Sequence, residues 1–285
     1  MNTVSAEGSP EPSHTRRVAI VTGGARGLGR VMALALLDAG YAVTVTASSL
    51  SPELESLTRE AVVRTGDEGR VLSLVADAAD PATGPAVVDA TLEAFGGLHA
   101  VVNNAGRGMR VVSESFTTDP VHFWEIPDAA WSGIIATNVN GPFSLAKAAM
   151  PHLLAQRDGR IVNVSTSAVT MTRRGYAPYG PSKAALEAMT RSWADDLRGS
   201  GVTANLLLPG GACATDLLPA SATSGADGQL LDPAIMAAPA VWLCSADSGV
   251  LTGARVIAKD WDASLPDAIA LSGARSEHVV GPAAD

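Results

Sequence analysis

The chain has 285 residues, of which 47% are hydrophobic and only 4% aromatic, which suits one large α/β domain or at most two small ones. Its formal net charge of −9 argues against nucleic acid and anionic membranes as main partners. No run approaches the roughly 20 uninterrupted apolar residues that a membrane span needs. The best candidate, residues 31–46, is interrupted by Asp38 and Gly40.

The two ends of the chain differ in composition from its centre. Residues 1–16 are polar and rich in Ser, Pro and Glu, without the apolar centre of a signal peptide. We expect a disordered leader there, one domain over residues 17–262 and a C-terminal tail over residues 263–285. Cys213 and Cys244 favour two free thiols over a disulfide, which is typical of a reducing compartment, so we expect a cytoplasmic protein.

Short apolar runs alternate with helical segments along the chain. Seven runs predict strands, at residues 18–22, 42–46, 71–75, 99–103, 160–165, 202–208 and 255–258. Six segments predict helices, at residues 28–37, 52–64, 81–95, 128–155, 179–198 and 233–245. This alternation predicts an α/β fold: a single doubly wound parallel sheet of about seven strands, Rossmann-like, with helices on both faces. Ligands of such sheets bind beyond the carboxyl ends of the strands.

A glycine-rich turn follows the first predicted strand and opens the first helix. Gly23 allows a tight turn, Gly27 lets the backbone approach a ligand, and Gly29 lets the helix pack on the strand. The spacing Gly-x3-Gly-x-Gly differs from the commoner dinucleotide motif, and a tight connection without a ligand is the alternative. The residues expected to face a bound phosphate are Gly23, Ala25, Arg26, Gly27, Leu28 and Gly29.

The end of the second predicted strand bears on the choice of cofactor. A site that selects NAD usually places an acid about 20 residues past the glycines, where it holds the ribose 2′-hydroxyl. Here the corresponding residues are Ala47, Ser48 and Ser49, and the next carboxylate is Glu53. Arg26 is suitably charged to meet a 2′-phosphate. The pattern favours NADP, with NAD as the alternative.

Polar residues follow the third and fourth predicted strands. Asp77, followed by Ala78, is suited to accept a hydrogen bond from an adenine amino group, although a turn or capping role is equally consistent with its position. The small residues of Asn104-Ala105-Gly106 would let a nicotinamide ribose lie close to the backbone; an ordinary loop is the alternative.

Two features of the second half of the chain suggest acid–base chemistry. Tyr179 and Lys183 are four residues apart at the start of a predicted helix, so they share a face and the ammonium can lower the pKa of the phenol. Asn138 lies inside the long predicted helix, where asparagine is unfavourable, so it is either exposed, at a kink, or organising a water near Lys183.

Other chemistries have weaker support. His122, His152 and His278 have no partner at metal-ligand spacing, and we predict no metal site. The hydroxyl cluster of Ser165, Thr166 and Ser167 lacks the Gly-x-Ser-x-Gly context of a hydrolase nucleophile, so a hydrogen-bonding role is favoured.

Taken together, these motifs resemble the short-chain dehydrogenase/reductase family, over about residues 17–253. The resemblance implies that Tyr179 is the general acid or base, that Lys183 lowers its pKa and binds the nicotinamide ribose, and that Asn138 anchors a relay water. The family serine that holds the substrate oxygen commonly lies 13 residues before the tyrosine, which is Thr166 here, with Ser167 as runner-up and Ser165 third. The backbone of Pro209, Gly210 and Ala212 would face the nicotinamide.

The chain also departs from the family pattern. Its last predicted strand is followed by Ala258-Lys259-Asp260-Trp261 instead of the frequent Asp-Gly-Gly. The long segments at residues 106–127 and 213–232 are expected to form substrate walls and a lid. The pocket candidates, each also consistent with core packing, are Met109, Phe116, Phe123, Trp124 and Tyr176.

The expected function is that of an NADP(H)-dependent ketoreductase or alcohol dehydrogenase acting on an apolar, medium-sized small molecule. A reductase of imines or enones on the same fold is the first alternative. A non-catalytic dinucleotide-binding regulator is the second. Family members often assemble through their two long helices, here residues 128–155 and 179–198, so a homodimer or homotetramer is expected.

Overall fold

A computed structural model describes residues 16–219, 221 and 228–277 of the chain. The expected leader at residues 1–15, His278 with the rest of the C-terminus, and residues 220 and 222–227 of the expected lid lie outside the described residues. Every helix within the described ranges is too short or too polar to cross a bilayer.

A single sheet organises the described residues, and its strands appear in the order β3-β2-β1-β4-β5-β6-β7-β8. All neighbours pair in parallel except the last two, which are antiparallel. The strands are β1 Val18–Val21, β2 Ala42–Ala47, β3 Val71–Val75, β4 Ala100–Asn103, β5 Gly159–Val164, β6 Val202–Leu208, β7 Arg255–Ile257 and β8 Arg275–Ser276. The predicted fold class is confirmed.

Helices cover both faces of this sheet. They are α1 Gly27–Asp38, α2 Pro52–Thr65, α3 Thr83–Phe95, α4 Asp128–Ile135, α5 Gly141–Gln156, α6 Ala168–Thr172, α7 Tyr179–Asp196, α8 Ala237–Cys244 and α9 Asp267–Ala274. One buried cluster joins the sheet to α1, α2 and α8, and a second joins its other face to α3 and α5. The central strands are buried on both faces, which explains their continuous Val, Leu and Ile content.

The structure changes two details of the predicted elements. The single helix predicted at residues 128–155 is interrupted by a π-helical turn, Ala136–Asn140, between α4 and α5. The segment assigned to a C-terminal tail contributes α9 and β8, and Arg255 of β7 pairs with Ser276 of β8. β8 is only two residues long, too short to give a periodic hydrophobic pattern.

Candidate active site

The sheet reverses its strand order between β1 and β4, and this reversal locates the candidate site. β1 is followed by β2 on one side, whereas the next strand on its other side is β4. The loops that leave the carboxyl ends of β1 and β4 therefore separate and open a crevice between them. The glycine-rich turn follows β1, and Asn104-Ala105-Gly106 follows β4, so the structure brings these two predicted motifs together.

Side-chain and backbone hydrogen bonds join the two loops. The Thr22 hydroxyl accepts from the backbone N–H groups of Asn104 and Ala105, both at 3.0 Å. The Asn104 amide donates to the carbonyls of Thr22 at 2.9 Å and Gly23 at 3.0 Å. Asn104 thus shapes the glycine turn itself, a role that sequence reasoning did not assign to it.

The glycine turn is shaped to accept an anion. Gly23 and Gly27 have φ angles of +62° and +54°, which L side chains rarely adopt. Helix α1 begins at Gly27 after Arg26, which provides no side-chain cap, and its first turn contains no acidic residue. The free N–H groups of this first turn, together with the helix dipole, favour a bound phosphate. A dinucleotide pyrophosphate therefore fits the residues present, and Ala25 and Leu28 pack beside the turn as buried and partly buried side chains.

The adenosine end of the crevice has no carboxylate at the end of β2. Ala47 ends β2, and Ser48 and Ser49 are exposed immediately after it. Arg26 is also exposed, and its guanidinium lies 3.1 Å from the Asp216 carboxylate. An exposed pair of this kind contributes little to stability, so Arg26 can exchange partners at low cost.

Asp77 is positioned by contacts that sequence reasoning missed. One carboxylate oxygen accepts from the Ala79 N–H at 3.0 Å, and the other pairs with Arg107 at 2.9 Å. The next residue, Ala78, packs against Gly141, where an added Cβ would lie 2.5 Å from the Ala78 carbonyl oxygen. No local sequence pattern predicts the pairing of Asp77 with Arg107, because the two residues are 30 positions apart.

Asn138 lies in the π-helical turn and is fully buried. Its Oδ1 accepts from the Arg107 N–H at 2.8 Å, and its Nδ2 donates to the Arg107 carbonyl and the Ser182 hydroxyl, both at 3.0 Å. The side chain therefore ties the loop after β4 to helix α7. A π turn supplies the local irregularity that lets a mid-helix asparagine point into a site, and such turns are frequent at functional sites.

Lys183 and Asn138 converge on Gly106. A Cβ built on Gly106 would lie 3.5 Å from Asn138 Oδ1 and 3.7 Å from Lys183 Nζ. The buried Lys183 ammonium donates to the Val164 carbonyl at 2.8 Å. Burial lowers the pKa of the Lys183 ammonium to about 8.

Tyr179 begins helix α7 and is buried, with 8% of its surface exposed. Burial raises the pKa of its phenol to about 12, and a hydrogen bond with the Thr166 side chain opposes that rise. The expected lowering of this pKa by Lys183 is wrong for this structure, because desolvation outweighs the other effects and Lys183 is bonded to Val164. The phenol is therefore protonated throughout the neutral range.

The structure separates the three candidate hydroxyls by their partners. Ser165 donates to the buried Glu187 carboxylate at 3.0 Å, and Ser167 caps helix α6 by accepting from the Thr170 N–H. Of the three, only Thr166 has a side chain that lowers the pKa of the Tyr179 phenol. Tertiary contacts thus favour the residue at the family spacing, although it is a threonine.

Tyr179 packs against apolar residues. Met109 and Phe116 pack with Tyr179 in one buried cluster, and Tyr176 and Leu218 lie against it. Phe123 and Trp124 are 70% and 68% exposed, so the expectation that they line this pocket is wrong. The aromatic rings of His122 and Trp124 stack on each other at the surface instead.

The segment after β6 closes over the crevice. Thr215 lies over Gly27, where an added Cβ would be 3.2 Å from its methyl group, and Leu217 packs on Gly108. The Arg110 guanidinium donates to the Asp216 carbonyl at 2.7 Å. The expected lid therefore contacts both the glycine turn and the long loop after β4.

The residues expected to face the nicotinamide lie where β6 ends. Pro209 accepts a hydrogen bond from the Lys259 N–H at 3.1 Å, and Ala212 accepts one from the Leu231 N–H at 2.8 Å. Gly210 has a φ of +92° and packs against the Lys259 side chain. This backbone lies beside Cys213, which is buried and, like Cys244, a free thiol.

No group of three or more His, Cys, Asp or Glu side chains is arranged to hold a metal ion anywhere in residues 16–219, 221 and 228–277.

Comparison with known proteins agrees with this geometry. The family described as short chain dehydrogenase matches residues 17–224. A short-chain type dehydrogenase/reductase of Picea abies is 38% identical over 70% of this chain and 72% of its own length. The 3-oxoacyl-[acyl-carrier-protein] reductase FabG of Vibrio cholerae is 33% identical over 83% of this chain and 93% of its own length.

Solved structures show the same fold. A metagenomic short-chain oxidoreductase in complex with NADP has a TM-score of 0.69 and 27% identity, covering 85% of this chain and 96% of its own. A 3-ketoacyl-(acyl-carrier-protein) reductase of Brucella melitensis complexed with NADH has a TM-score of 0.69 and 26% identity, covering 83% and 94%. The family match spans most of the chain, and its residues include the glycine turn, the loops that form the crevice and the Tyr179–Lys183 pair. This chain therefore belongs to the short-chain dehydrogenase family of oxidoreductases.

Proposed function

We propose that this protein is an NADP(H)-dependent ketoreductase, with Tyr179 as its general acid and base. The observation that carries the proposal is the buried Tyr179 phenol, whose pKa the Thr166 side chain lowers and which lies one helical turn from a buried Lys183. Two relatives named as reductases of 3-oxoacyl or 3-ketoacyl groups support a carbonyl substrate.

The bound nicotinamide cofactor would supply the hydride that a carbonyl carbon accepts. Thr166 donates a hydrogen bond to the carbonyl oxygen and orients it toward the phenol. Tyr179 then transfers its proton to that oxygen as negative charge develops on it. A phenol that is protonated at neutral pH is already in the state that reduction requires.

Lys183 and the glycine turn would hold the cofactor. The first turn of α1, with Gly27 and Gly29, would bind the pyrophosphate, and Lys183 would bind the ribose next to Gly106. Asn138 bonds both the loop after β4 and helix α7. It would therefore help to set the distance between the bound cofactor and the Tyr179 phenol. Its amide is also suited to anchor a relay water.

Reduction should lose efficiency above about pH 8. Lys183 carries its charge below its pKa of about 8 and loses it as the pH rises through that value, whereas Tyr179 stays protonated until about 12. We expect kcat/KM for ketone reduction to fall with an apparent pKa near 8, because this parameter reports the free enzyme. Lys183→Arg should move the descending limb upward, because arginine does not titrate in this range. If the descending limb of the pH profile were the same in Lys183→Arg as in the wild type, titration of Lys183 would not be its cause.

A single charge should test the preference for NADP. Ser48→Asp places a carboxylate at the exposed end of β2, where it would repel a 2′-phosphate and accept from a 2′-hydroxyl. We expect the ratio of kcat/KM for NADPH over NADH to fall about a hundredfold, equivalent to about 2.7 kcal/mol. Ser48→Asn, which has similar size and no charge, is the control. A wild-type enzyme that prefers NADH would overturn the assignment of NADP.

A substrate panel tests the proposed reaction. NADPH oxidation is measured with ketones, 3-oxoacyl thioesters, cyclic iminium ions and enones of matched size. Faster turnover of iminium or enone substrates than of ketones would indicate a reductase of imines or enones instead of a ketoreductase. Saturable NADPH binding without turnover of any substrate would indicate a binding protein.

The exposed apolar residues Trp131, Phe143 and Leu154 of α4 and α5 support assembly into a homodimer or homotetramer. We propose that α4 and α5, together with α7, form the contact, in a cytoplasmic enzyme with an apolar, medium-sized small-molecule substrate. Light scattering after size-exclusion chromatography would give the mass of the assembly directly.

A further inference from the structure

A buried ion pair lies directly beneath the candidate site. Glu187 is on the same face of α7 as Tyr179 and Lys183, at successive intervals of four residues, and it is fully buried. Its carboxylate lies 2.9 Å from the Arg255 guanidinium on β7, whose side chain is 5% exposed. The pair thus joins the helix that carries the phenol to β7, the neighbour of the edge strand β8.

The guanidinium also reaches the backbone of the candidate catalytic threonine. Arg255 Nε donates to Glu187 at 2.9 Å, Nη2 donates to the Thr166 carbonyl at 3.1 Å, and Nη1 donates to the Ser276 hydroxyl at 2.7 Å. Glu187 in turn accepts from the Ser165 hydroxyl at 3.0 Å. Two adjacent residues after β5 are therefore held by the two members of one ion pair.

These contacts occur where the chain leaves the sheet. β5 ends at Val164, and α6 begins at Ala168, so Thr166 lies between two regular elements. The Ser165 N–H still donates to the Leu207 carbonyl of β6, but Thr166 is one residue beyond that contact. The Thr166 hydroxyl can meet the phenol in a fixed orientation only if its backbone is held, and the Arg255 contact holds it.

Stability alone is a weak reason for such a pair. Removing two charges from water is costly before their attraction is counted, and well-packed apolar replacements are often neutral or stabilising. Arginine offers instead a planar group with several donors at fixed angles. Here three of those donors bond acceptors on three different segments of the chain: the Glu187 carboxylate, the Ser276 hydroxyl and the Thr166 carbonyl.

We propose that Arg255, held in place by Glu187, is a positioning residue that aims the Thr166 hydroxyl at the Tyr179 phenol. The inference rests on the proposed function, in which that hydroxyl orients the substrate oxygen. The C-terminal strand β8 takes part through Ser276, so a segment remote in sequence contributes to the geometry of the reacting groups.

A double-mutant cycle between Arg255→Lys and Thr166→Ala tests the proposal. Lysine keeps the charge beside Glu187 but lacks the planar fork, so it cannot hold all three partners in the same geometry. We expect Arg255→Lys to lower kcat roughly tenfold with little change in the KM for NADPH, since a misplaced group weakens the chemical step more than binding. Thr166→Ala should lower kcat about a hundredfold, as for removal of one oxyanion donor. In the Thr166→Ala background, Arg255→Lys should then lower kcat by less than about twofold.

Arg160→Lys provides a matched control. Arg160 is also buried, is paired with Asp158 at 3.0 Å and donates to backbone carbonyls, but it lies at the opposite end of β5 from Thr166. This variant should lower the melting temperature and leave kcat of the folded enzyme unchanged. A tenfold loss of kcat in both arginine variants would mean that replacing any buried arginine of the core is sufficient to lower kcat. That result would overturn the proposal.

Two other outcomes would also overturn it. If Arg255→Lys lowered kcat by the same factor in the wild-type and Thr166→Ala backgrounds, Arg255 would not act through Thr166. An unaltered kcat in Thr166→Ala would show that the Thr166 hydroxyl has no part in the reaction, so that Arg255 would have no catalytic group to position. The proposed reaction would still be supported in that case if Tyr179→Phe caused a large loss of kcat.

A crystal structure of Arg255→Lys decides the question even if no substrate is turned over. We expect the Thr166 hydroxyl to move away from the phenol by more than about 0.5 Å, the tolerance within which catalytic groups must be held. A Thr166 hydroxyl that keeps its contact with the phenol would overturn the proposal independently of any activity.

Discussion

Replacing Tyr179 with phenylalanine is expected to lower carbonyl-reducing turnover roughly a thousandfold, within the range for loss of a general acid. The ring would still fill its place beside Met109 and Phe116, since only the hydroxyl is removed. The glycine turn and Lys183, which hold the cofactor in the proposed function, are unchanged. NADPH affinity, measured by fluorescence titration, should therefore stay within about twofold of the wild-type value.

Tyr41→Phe is the matched control for this loss. Tyr41 is also buried, and its hydroxyl donates to the Cys244 carbonyl at 2.8 Å. It directly precedes the amino end of β2, whereas Tyr179 begins α7, which comes after the carboxyl end of β5. That variant should lose about 1 kcal/mol of stability and keep its kcat. Retention of more than about a tenth of the wild-type kcat in Tyr179→Phe would exclude Tyr179 as the proton donor.

Gly29→Ala is expected to destabilise the fold and to abolish useful cofactor affinity. A Cβ at this position would lie 2.3 Å from the Gly23 carbonyl oxygen and 2.4 Å from Asn104 Nδ2. Neither atom can retreat independently, because the two are hydrogen-bonded to each other. The glycine turn must therefore move away from α1, and the first-turn N–H groups lose their common direction. We expect a loss of about 3 kcal/mol, which lowers the melting temperature by roughly 6–12 °C.

The accompanying loss of NADPH affinity should exceed a hundredfold by calorimetric titration. Gly273→Ala is the control, because Gly273 is also helical and an added Cβ there would lie 3.5 Å from the Asp260 carbonyl oxygen, its nearest neighbour outside the helix. Alanine is the better helix former, so that variant should be neutral or slightly more stable. Normal NADPH affinity in Gly29→Ala would show that the turn does not bind the pyrophosphate.

Local pattern was sufficient to predict the alternation of strands and helices. Strands such as β1 and β6 are buried on both faces, so each is a continuous apolar run between turn residues. Parallel neighbours need a crossover helix, which makes the order of elements informative about the sheet. The same reasoning explains why the glycine turn and the Tyr179–Lys183 pair were located in advance: each depends on spacing within one turn or one helix.

Tertiary structure decided the properties that depend on residues distant in the chain. The choice of Thr166 among three adjacent hydroxyls follows from partners on α7, and the outward position of Trp124 follows from the path of a long loop. The high pKa of Tyr179 is a consequence of burial, which no spacing reveals.

The sequence by itself determined the fold, the family and the candidate pair of Tyr179 and Lys183, because hydrophobic period and short-range spacing are encoded locally. It did not determine that β8 joins the sheet or that Arg255 meets both Glu187 and Thr166. Those contacts join residues 68 and 89 positions apart, and they form only when the packed sheet brings the end of β5, α7 and β7 together. Desolvation and donor geometry, which set the chemistry of the site, exist only in that packed state.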